Sequence, residues 1–173
     1  MLLLIGILRG GCLVNLRDRL VLLLSFLVLV LALAGRYYTE NVGYFVFTTS
    51  PSLKHKFFYV DLRRKEPKRG EYIAFWLYPD KIISEKQRSI KEVVCFPGDI
   101  LEVRGRDYYC NGVYLGRAKE RSRKGVSVDN FKWNGLVPEG MYFVKGVHPD
   151  SYDSRYYGFV SKERIIGVGR PLF

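Results

Sequence analysis

The chain has 173 residues, of which 48% are hydrophobic and 26% are charged, and this composition excludes wholesale disorder and a collagen-like or coiled-coil chain. Lys and Arg outnumber Asp and Glu by 28 to 17, and the net charge of +11 favours an acidic partner such as lipid head groups, nucleic acid or an acidic substrate. Only three cysteines and two histidines are present, which excludes a disulfide-dense scaffold and disfavours a zinc site built from protein ligands alone.

An uncharged apolar run lies near the N-terminus. Residues 20–34 carry no charge, and Arg19 and Arg36 flank them. A helix that spans a membrane needs about 20 apolar residues, with ~17 at the low end, and flanking arginines can snorkel to the head groups. We therefore predict a transmembrane anchor at residues 20–38.

The segments on the two sides of this anchor are expected in different compartments. Residues 1–19 are basic, and the positive-inside rule places them in the cytoplasm, so that residues 39–173 form an exported domain. A cleaved signal peptide is the alternative, because Ala-Leu-Ala at 32–34 fits a cleavage site, and it exports the same domain. In an oxidising compartment, Cys95 and Cys110 form either a disulfide or two free thiols.

The exported part has short apolar and aromatic runs between turn residues, a pattern that predicts a mainly β domain. The predicted strands lie at residues 44–48, 57–62, 72–77, 90–96, 100–104, 108–115, 141–145 and 164–169. Asn111 and Gly112 predict a hairpin turn within the sixth of these. Residues 63–70 predict a charged loop between two strands, and residues 117–125 predict an exposed basic loop or a short helix. We find no long amphipathic helix in this part of the sequence.

A hydroxyl-rich segment, Thr-Thr-Ser-Pro-Ser, occupies residues 48–52 after the first predicted strand. Its hydroxyls can satisfy local backbone groups, as they do in many turns. Alternatively, Ser52 is a nucleophile. A serine hydroxyl is weak in that role until a base takes its proton, so this second interpretation needs a base elsewhere in the chain.

Residue 91 offers such a base in the predicted strand 90–96. With a period of two, Lys91 shares one face of the strand with Val93 and Cys95. Glu92 shares the other face with apolar residues too, so one of the two charges must point among apolar side chains. A lysine buried in that way has a lowered pKa and can accept a proton at neutral pH. The alternative is an edge-strand lysine that discourages aggregation.

A polar loop follows the predicted strand 141–145. It spans residues 146–158 and reads Gly-Val-His-Pro-Asp-Ser-Tyr-Asp-Ser-Arg-Tyr-Tyr-Gly. Asp153 and Arg155 can form a charge-assisted pair that fixes the loop, and Ser151 can hydrogen-bond an amine. A plain polar surface turn is the alternative.

These segments occur in a fixed order behind the anchor, and together they resemble the signal peptidase I family of Ser–Lys peptidases. The three boxes are Ser-Pro-Ser-Leu at 50–53, Ile-Lys-Glu-Val-Val-Cys-Phe-Pro-Gly-Asp at 90–99, and Ser-Tyr-Asp-Ser-Arg-Tyr-Tyr-Gly at 151–158 within the polar loop. The tyrosine-rich ending of the third box is similar to the TraF-type branch from conjugative-transfer systems. The resemblance covers about residues 47–173, and it implies an all-β, membrane-associated catalytic domain on the periplasmic side of a bacterial inner membrane.

The resemblance also implies a role for each matching residue. Ser52 matches the nucleophile, Lys91 matches the general base, and Ser50 matches a hydroxyl that helps to hold the oxyanion. In the family, the third box positions the lysine and braces the site, and its matching residues here are Ser151, Asp153 and Arg155. The family pattern implies neither a cofactor nor a metal.

The implied function is that of a membrane-anchored serine endopeptidase that cleaves exported proproteins after small residues. The expected substrates are pilin precursors of a conjugative type IV secretion system, and the expected partners are this protein substrate and membrane lipid, without nucleic acid. An acyl-enzyme on Ser52 can be attacked by water or by a substrate amine, so hydrolysis and cyclisation of the pilin both stay open.

Three other functions are compatible with parts of the sequence. Glu92 and Cys95 depart from the family box, which leaves a catalytically inactive assembly scaffold on the same fold as an alternative. The basic excess suggests a nucleic-acid-binding module, but no recognised nucleic-acid motif accompanies it. A triad of Ser52, His148 and Asp150 is another arrangement for an enzyme.

Overall fold

The structure is a computed structural model that describes residues 15–49, 51–122 and 125–172. The chain divides into two compact units, Met1–Thr39 and Glu40–Phe173. The predicted oxyanion residue Ser50 lies outside the described residues, as do most of the residues that precede the apolar run.

Most of the first unit is one helix, α1, at Leu16–Asn41. Its residues are exposed along its whole length, and an 18-residue window in it has a mean hydropathy of 2.4. Its 26 residues make it about 39 Å long at ~1.5 Å per residue, which exceeds the ~30 Å hydrocarbon core of a bilayer. Among the described residues, it is the one helix that is long and apolar enough to cross a membrane. The predicted anchor at 20–38 lies within it.

The second unit is mainly β, which confirms the predicted fold class. Its strands are β1 (Gly43–Phe47), β2 (Phe57–Asp61), β3 (Tyr72–Leu77), β4 (Gln87–Cys95), β5 (Ile100–Arg104), β6 (Asp107–Cys110), β7 (Val113–Arg117), β8 (Asn134–Leu136), β9 (Met141–Lys145), β10 (Val160–Ser161) and β11 (Ile165–Pro171). A short helix, α2, at Ser154–Tyr157 follows β9, and a 3-10 turn at Lys162–Arg164 precedes β11.

The strands form two antiparallel sheets. One has seven strands in the order β1-β2-β11-β3-β4-β9-β10, and the other has four in the order β7-β6-β5-β8. The hairpin between β6 and β7 has Asn111 and Gly112 at its tip with φ values of 49° and 80°. Positive φ at both central residues is what a type I′ turn requires, so the predicted hairpin is confirmed.

Differences from the predicted elements have local reasons. The strands β8 and β10 have three and two residues, too few for an alternating pattern to show. The strand β4 begins three residues earlier than predicted, because the polar residues 87–89 pair with β3 although their side chains are not apolar. The short helix α2 interrupts the loop that follows β9, and the Asp153 side chain caps it by accepting a hydrogen bond from the Arg155 N–H.

A disulfide and a tight turn connect the two sheets. Cys95 at the end of β4 is bonded to Cys110 at the end of β6, with 5.8 Å between their Cα atoms. Of the two alternatives, the structure therefore has the disulfide and not two free thiols. In the turn between β4 and β5, Gly98 has a φ of 83°, a conformation that favours glycine. The buried Asp99 carboxylate accepts hydrogen bonds from the Phe96 N–H at 2.8 Å and from Asn111 Nδ2 at 2.8 Å. These contacts fix the end of β4, the strand that carries Lys91.

Candidate active site

Lys91 is the charged residue that the sheet buries. Its side chain lies on the face of β4 that holds Val93 and Cys95, and the residue is 7% exposed, whereas Glu92 on the opposite face is half-buried. The strand lies between β3 and β9 in the larger sheet. An edge-strand lysine that discourages aggregation needs an exposed charge, so the burial of Lys91 does not fit that alternative.

Burial lowers the pKa of the Lys91 ammonium to about 8, because the charged form loses its hydration. The negative charge of Asp153 opposes this shift, and the positive charge of Arg155 adds to it. A lysine with a pKa near 8 is partly neutral at physiological pH, which a general base requires.

Ser52 lies against this lysine in the loop between β1 and β2. Lys91 Nζ donates a hydrogen bond to Ser52 Oγ at 2.7 Å, although the two residues are 39 positions apart in the chain, and Ser52 is only 7% exposed. The next residue, Leu53, is buried in a small apolar cluster with Tyr72. The carbonyl of Ser52 accepts a hydrogen bond from the Val147 N–H at 2.9 Å. The loop is thus held at the serine itself and on its C-terminal side.

Ser151 completes the polar contacts of the lysine amine. Its buried Oγ accepts a hydrogen bond from Lys91 Nζ at 3.1 Å, and its N–H donates to the His148 carbonyl at 2.9 Å. Two hydroxyls therefore orient one amine. The same contact with Ser52 can carry a proton from the hydroxyl to the amine once the amine is neutral.

Gly146 is a residue of this site that sequence reasoning did not single out. A Cβ atom at this position would lie 2.1 Å from Ser151 Oγ and 2.8 Å from the Ser52 carbonyl oxygen. Any side chain would force apart the two loops that present these serines. A glycine directly after β9, at the start of the polar loop, was the signal available in the sequence.

Asp153 and Arg155 form a buried ion pair behind the lysine. They are 0% and 3% exposed, and Arg155 Nε and Nη2 donate to the two carboxylate oxygens at 2.8 Å each. The carboxylate also accepts a hydrogen bond from the Gly146 N–H at 3.0 Å. A bidentate pair of this kind fixes the direction of both side chains, and here it braces the loop that carries Ser151.

His148 is not hydrogen-bonded to Ser52 among the described residues. Its Nδ1 accepts a hydrogen bond from the Asp150 N–H at 3.1 Å, a contact within its own loop. The titratable side chain that hydrogen-bonds Ser52 Oγ is Lys91. The geometry thus supplies no histidine triad.

A family model described as signal peptidase, peptidase S26, matches residues 17–173. The chain belongs to this family. The resemblance stated from the sequence is thereby confirmed, and the match extends from the apolar helix to the end of the chain.

Curated relatives of this signal peptidase family member include both branches named above. The probable signal peptidase I-2 of Synechocystis is 30% identical over 112 residues, which are 62% of this chain and 49% of that protein. The conjugal transfer protein TraF of Agrobacterium fabrum is 31% identical over 86 residues, 49% of this chain and 48% of that protein. The chain thus spans about half the length of these relatives. A crystal structure of a signal peptidase I from Enterococcus faecalis is 36% identical, covers 60% of this chain and 96% of that chain, and has a TM-score of 0.39.

A cavity of about 280 Å³ opens beside Ser52. We call it the serine cleft; it is lined by Ser52, Lys91, Ser151, His148 and further residues of β4 and the polar loop. Residues 87–91 of β4 pair with β3 on one side, whereas pairing with β9 starts at Glu92. Among the described residues, no strand covers the other edge of this stretch, which runs along the cleft.

Three possible metal ligands cluster outside the serine cleft. They are Cys95, Asp99 and Cys110, with ligand atoms within 4.8 Å of one another. The two sulfurs are joined in the disulfide, and the Asp99 carboxylate accepts hydrogen bonds from three groups, so the donor set does not fit a metal ion. This cluster is a structural connection between the sheets.

Proposed function

We propose that the chain is a membrane-anchored serine endopeptidase in which Ser52 is the nucleophile and Lys91 is the general base. The observation that carries this proposal is the hydrogen bond of 2.7 Å between the two side chains, with both residues 7% exposed. The lowered pKa of Lys91 and the match to the signal peptidase family support it. A Ser–Lys pair is a recognised variant of the catalytic triad.

The first half of the reaction follows from this pair. Neutral Lys91 takes the proton of Ser52 as Oγ attacks the carbonyl carbon of the scissile peptide bond, and Ser151 holds the amine in line. The lysine then gives that proton to the leaving amine, and an ester on Ser52 remains. Donors to the developing oxyanion are worth about 3 kcal/mol each, and we assign this task to the Ser52 N–H and the Ser50 hydroxyl.

The second half of the reaction breaks the ester. A water molecule releases a carboxylic acid, whereas the amine of a pilin chain forms a new peptide bond and closes a ring. In both cases the amine of Lys91 takes the proton of the attacking group and returns it to Ser52. The cyclic product is lighter than the linear one by one water.

Substrate binding fits the open edge of β4. An extended peptide can add to residues 87–91 as a further strand, with backbone hydrogen bonds that do not depend on its sequence. Its side chains next to the scissile bond then enter the serine cleft. A volume of about 280 Å³ is shared among several of them, which favours small residues there.

The relatives and α1 support a substrate class and a compartment for this peptidase. Similarity to a conjugal transfer protein favours an exported pilin precursor as substrate. We assign α1 to the bacterial inner membrane, residues 1–19 to the cytoplasm and the catalytic domain at 39–173 to the periplasm, where the disulfide is stable.

The test is the intact mass of a candidate pilin precursor co-expressed with the full chain. We expect shortening by the wild type and by Lys132→Ala, a control that removes an exposed lysine, and none with Ser52→Ala or Lys91→Ala. A cyclic product would show the additional loss of one water. Processing that survives both substitutions in the pair would contradict the proposal.

A further inference from the structure

A second cavity, of about 550 Å³, lies next to the serine cleft. His148 lines both cavities, so the two are neighbours separated by the polar loop. We call the second cavity the basic pocket, because four cationic side chains line it: Arg117, Lys119, Lys145 and Arg155. The mechanism proposed above uses none of its volume.

Three of these four cations already have carboxylate partners. The ion pairs are Arg117 with Asp107, Lys119 with Asp150, and Arg155 with Asp153. The side chain of Lys145 has neither a hydrogen bond nor an ion pair within the part of the chain that the structure describes. Glu92 lies opposite it in the β4–β9 register, and Glu120 lines the pocket, yet neither forms an ion pair with it among those residues.

Lys145 and Arg155 bring two positive charges to the same place in the pocket. A Cβ atom built on Gly116 would lie 3.5 Å from Arg155 Nη1 and 3.8 Å from Lys145 Nζ. Lys145 is half-buried, and its lost hydration together with the charge of Arg155 lowers its pKa, while the charges of Asp153 and Glu92 oppose this shift. Asp153 balances the charge of Arg155, whereas a carboxylate bound beside Lys145 Nζ would offset the hydration that this amine has lost.

Among the described residues, Arg155 retains a donor for such an anion. Four of its five N–H groups point to the Asp153 carboxylate and to the carbonyls of Arg117 and Ser151. The fifth is on Nη1, the atom near the Gly116 Cβ position. Gly116 has a φ of 123° beside the bulge in the β6–β7 pairing, and its missing side chain leaves this space open.

We propose that the basic pocket binds an acidic side chain of the substrate peptide, with Lys145 as the residue that determines this specificity. The inference rests on the proposed peptidase function. A carboxylate in the pocket would accept from Lys145 Nζ and from the remaining N–H of Arg155. A peptide in the serine cleft reaches the pocket by passing His148, which lines both cavities, and this favours a substrate group over a separate ligand.

Peptide binding to full-length Ser52→Ala protein tests the pocket without turnover. The probes are Ala-rich decapeptides with one aspartate moved through every position, each compared with the same peptide carrying asparagine. We expect at least one aspartate position to bind about tenfold more tightly than its asparagine counterpart, because a hydrogen bond to a charged acceptor is stronger than one to a neutral amide; this factor corresponds to about 1.4 kcal/mol. This preference should fall to about one in Lys145→Met and persist in Lys145→Arg and in the control Lys132→Met.

The outcomes separate this inference from the proposed function. An aspartate preference that survives Lys145→Met, or the absence of any preference, would overturn the basic pocket as a substrate site. Binding of phosphatidylglycerol vesicles that depends on Lys145, with no aspartate preference, would identify a lipid site and overturn it as well. Cleavage of the same peptides by the wild type is measured separately. An aspartate preference without cleavage would contradict the proposed peptidase function but would still support the basic pocket as a binding site. Thermal unfolding of each variant shows whether it is folded.

Discussion

Lys91 has the property on which the chemistry depends, and that property comes from its place in the sheet. Its pKa is about 8 against an ordinary value of 10.5, chiefly because β4 removes it from water. Burial of the amine thus determines its protonation state, and Val93 and Cys95 on the same face of β4 are buried as well. The buried lysine therefore lowers stability, and in the proposed mechanism it serves as the base for the serine.

Replacement of Lys91 by methionine should reveal the stability cost of the buried charge through the pH dependence of the free energy of unfolding. The unfolded lysine titrates near 10.5 and the folded one near 8, so the unfolded state binds more protons between these values and the wild type gains stability as pH rises through them. We expect Lys91→Met to be about 3 kcal/mol more stable than the wild type at pH 7, with a gap that narrows between pH 8 and 10.5.

Urea unfolding across this pH range measures the gap. Lys132→Met is the matched control, because residue 132 is exposed and its substitution should leave the pH dependence unchanged. A stability difference between Lys91→Met and the wild type that stays constant from pH 7 to about 10.5 would mean that Lys91 keeps an ordinary pKa in the folded protein.

Gly146→Ala should separate the two serines without altering either of them. The added methyl would meet Ser151 Oγ at 2.1 Å and the Ser52 carbonyl oxygen at 2.8 Å, so the loops must move apart. We expect kcat/KM for peptide cleavage to fall about a hundredfold, since displacements near 1 Å have such effects. Gly35→Ala, at a position with open space, is the control. Full activity in Gly146→Ala would show that the close approach is not needed.

At the scale of elements, the disulfide holds the end of the lysine strand. It joins β4 to β6 across a separation of 15 residues. A loop of that length predicts a contribution of about 3 kcal/mol through the unfolded state. We expect the double variant Cys95→Ala, Cys110→Ala to lose about that much free energy of unfolding in urea, and dithiothreitol to lower the stability of the wild type only. Equal stability of variant and wild type would contradict the assigned role.

The sequence predicted the strands better than their assembly. Alternation and turn residues were sufficient for β3, β5 and β9, whose bounds agree with the predicted ones. Alternation also showed that Lys91 or Glu92 must point among apolar side chains. It could not say which, because both faces of the strand are apolar and only the packing of β4 between β3 and β9 distinguishes them.

Contacts between distant segments were beyond pattern reasoning. The pairing of Ser52 with Lys91 came from the family resemblance, because it depends on a fold that closes 39 residues. Gly146 has its role only because two loops approach it. The basic pocket combines residues of β7, β9 and α2, and no local pattern brings them together.

The whole molecule combines a basic chain with an apolar helix. The net charge is +11, and α1 is exposed along its length. In a membrane, both features favour contact with anionic lipid. We expect external protease to digest the domain at 39–173 in intact spheroplasts and to spare a tag fused to the N-terminus, with both digested after lysis. Protection of the domain in intact spheroplasts would reverse the assigned orientation.

The rate at which a neutral serine-reactive fluorophosphonate modifies Ser52, followed by intact mass across pH, tests the Ser52–Lys91 pair most directly. We expect a rate that rises about tenfold per pH unit, levels off above about 8, and falls by about 10²–10⁴-fold in Lys91→Met. A modification rate of Ser52 that is independent of pH in this range, or that is equal in Lys91→Met, would contradict the assignment of Lys91 as the base for Ser52.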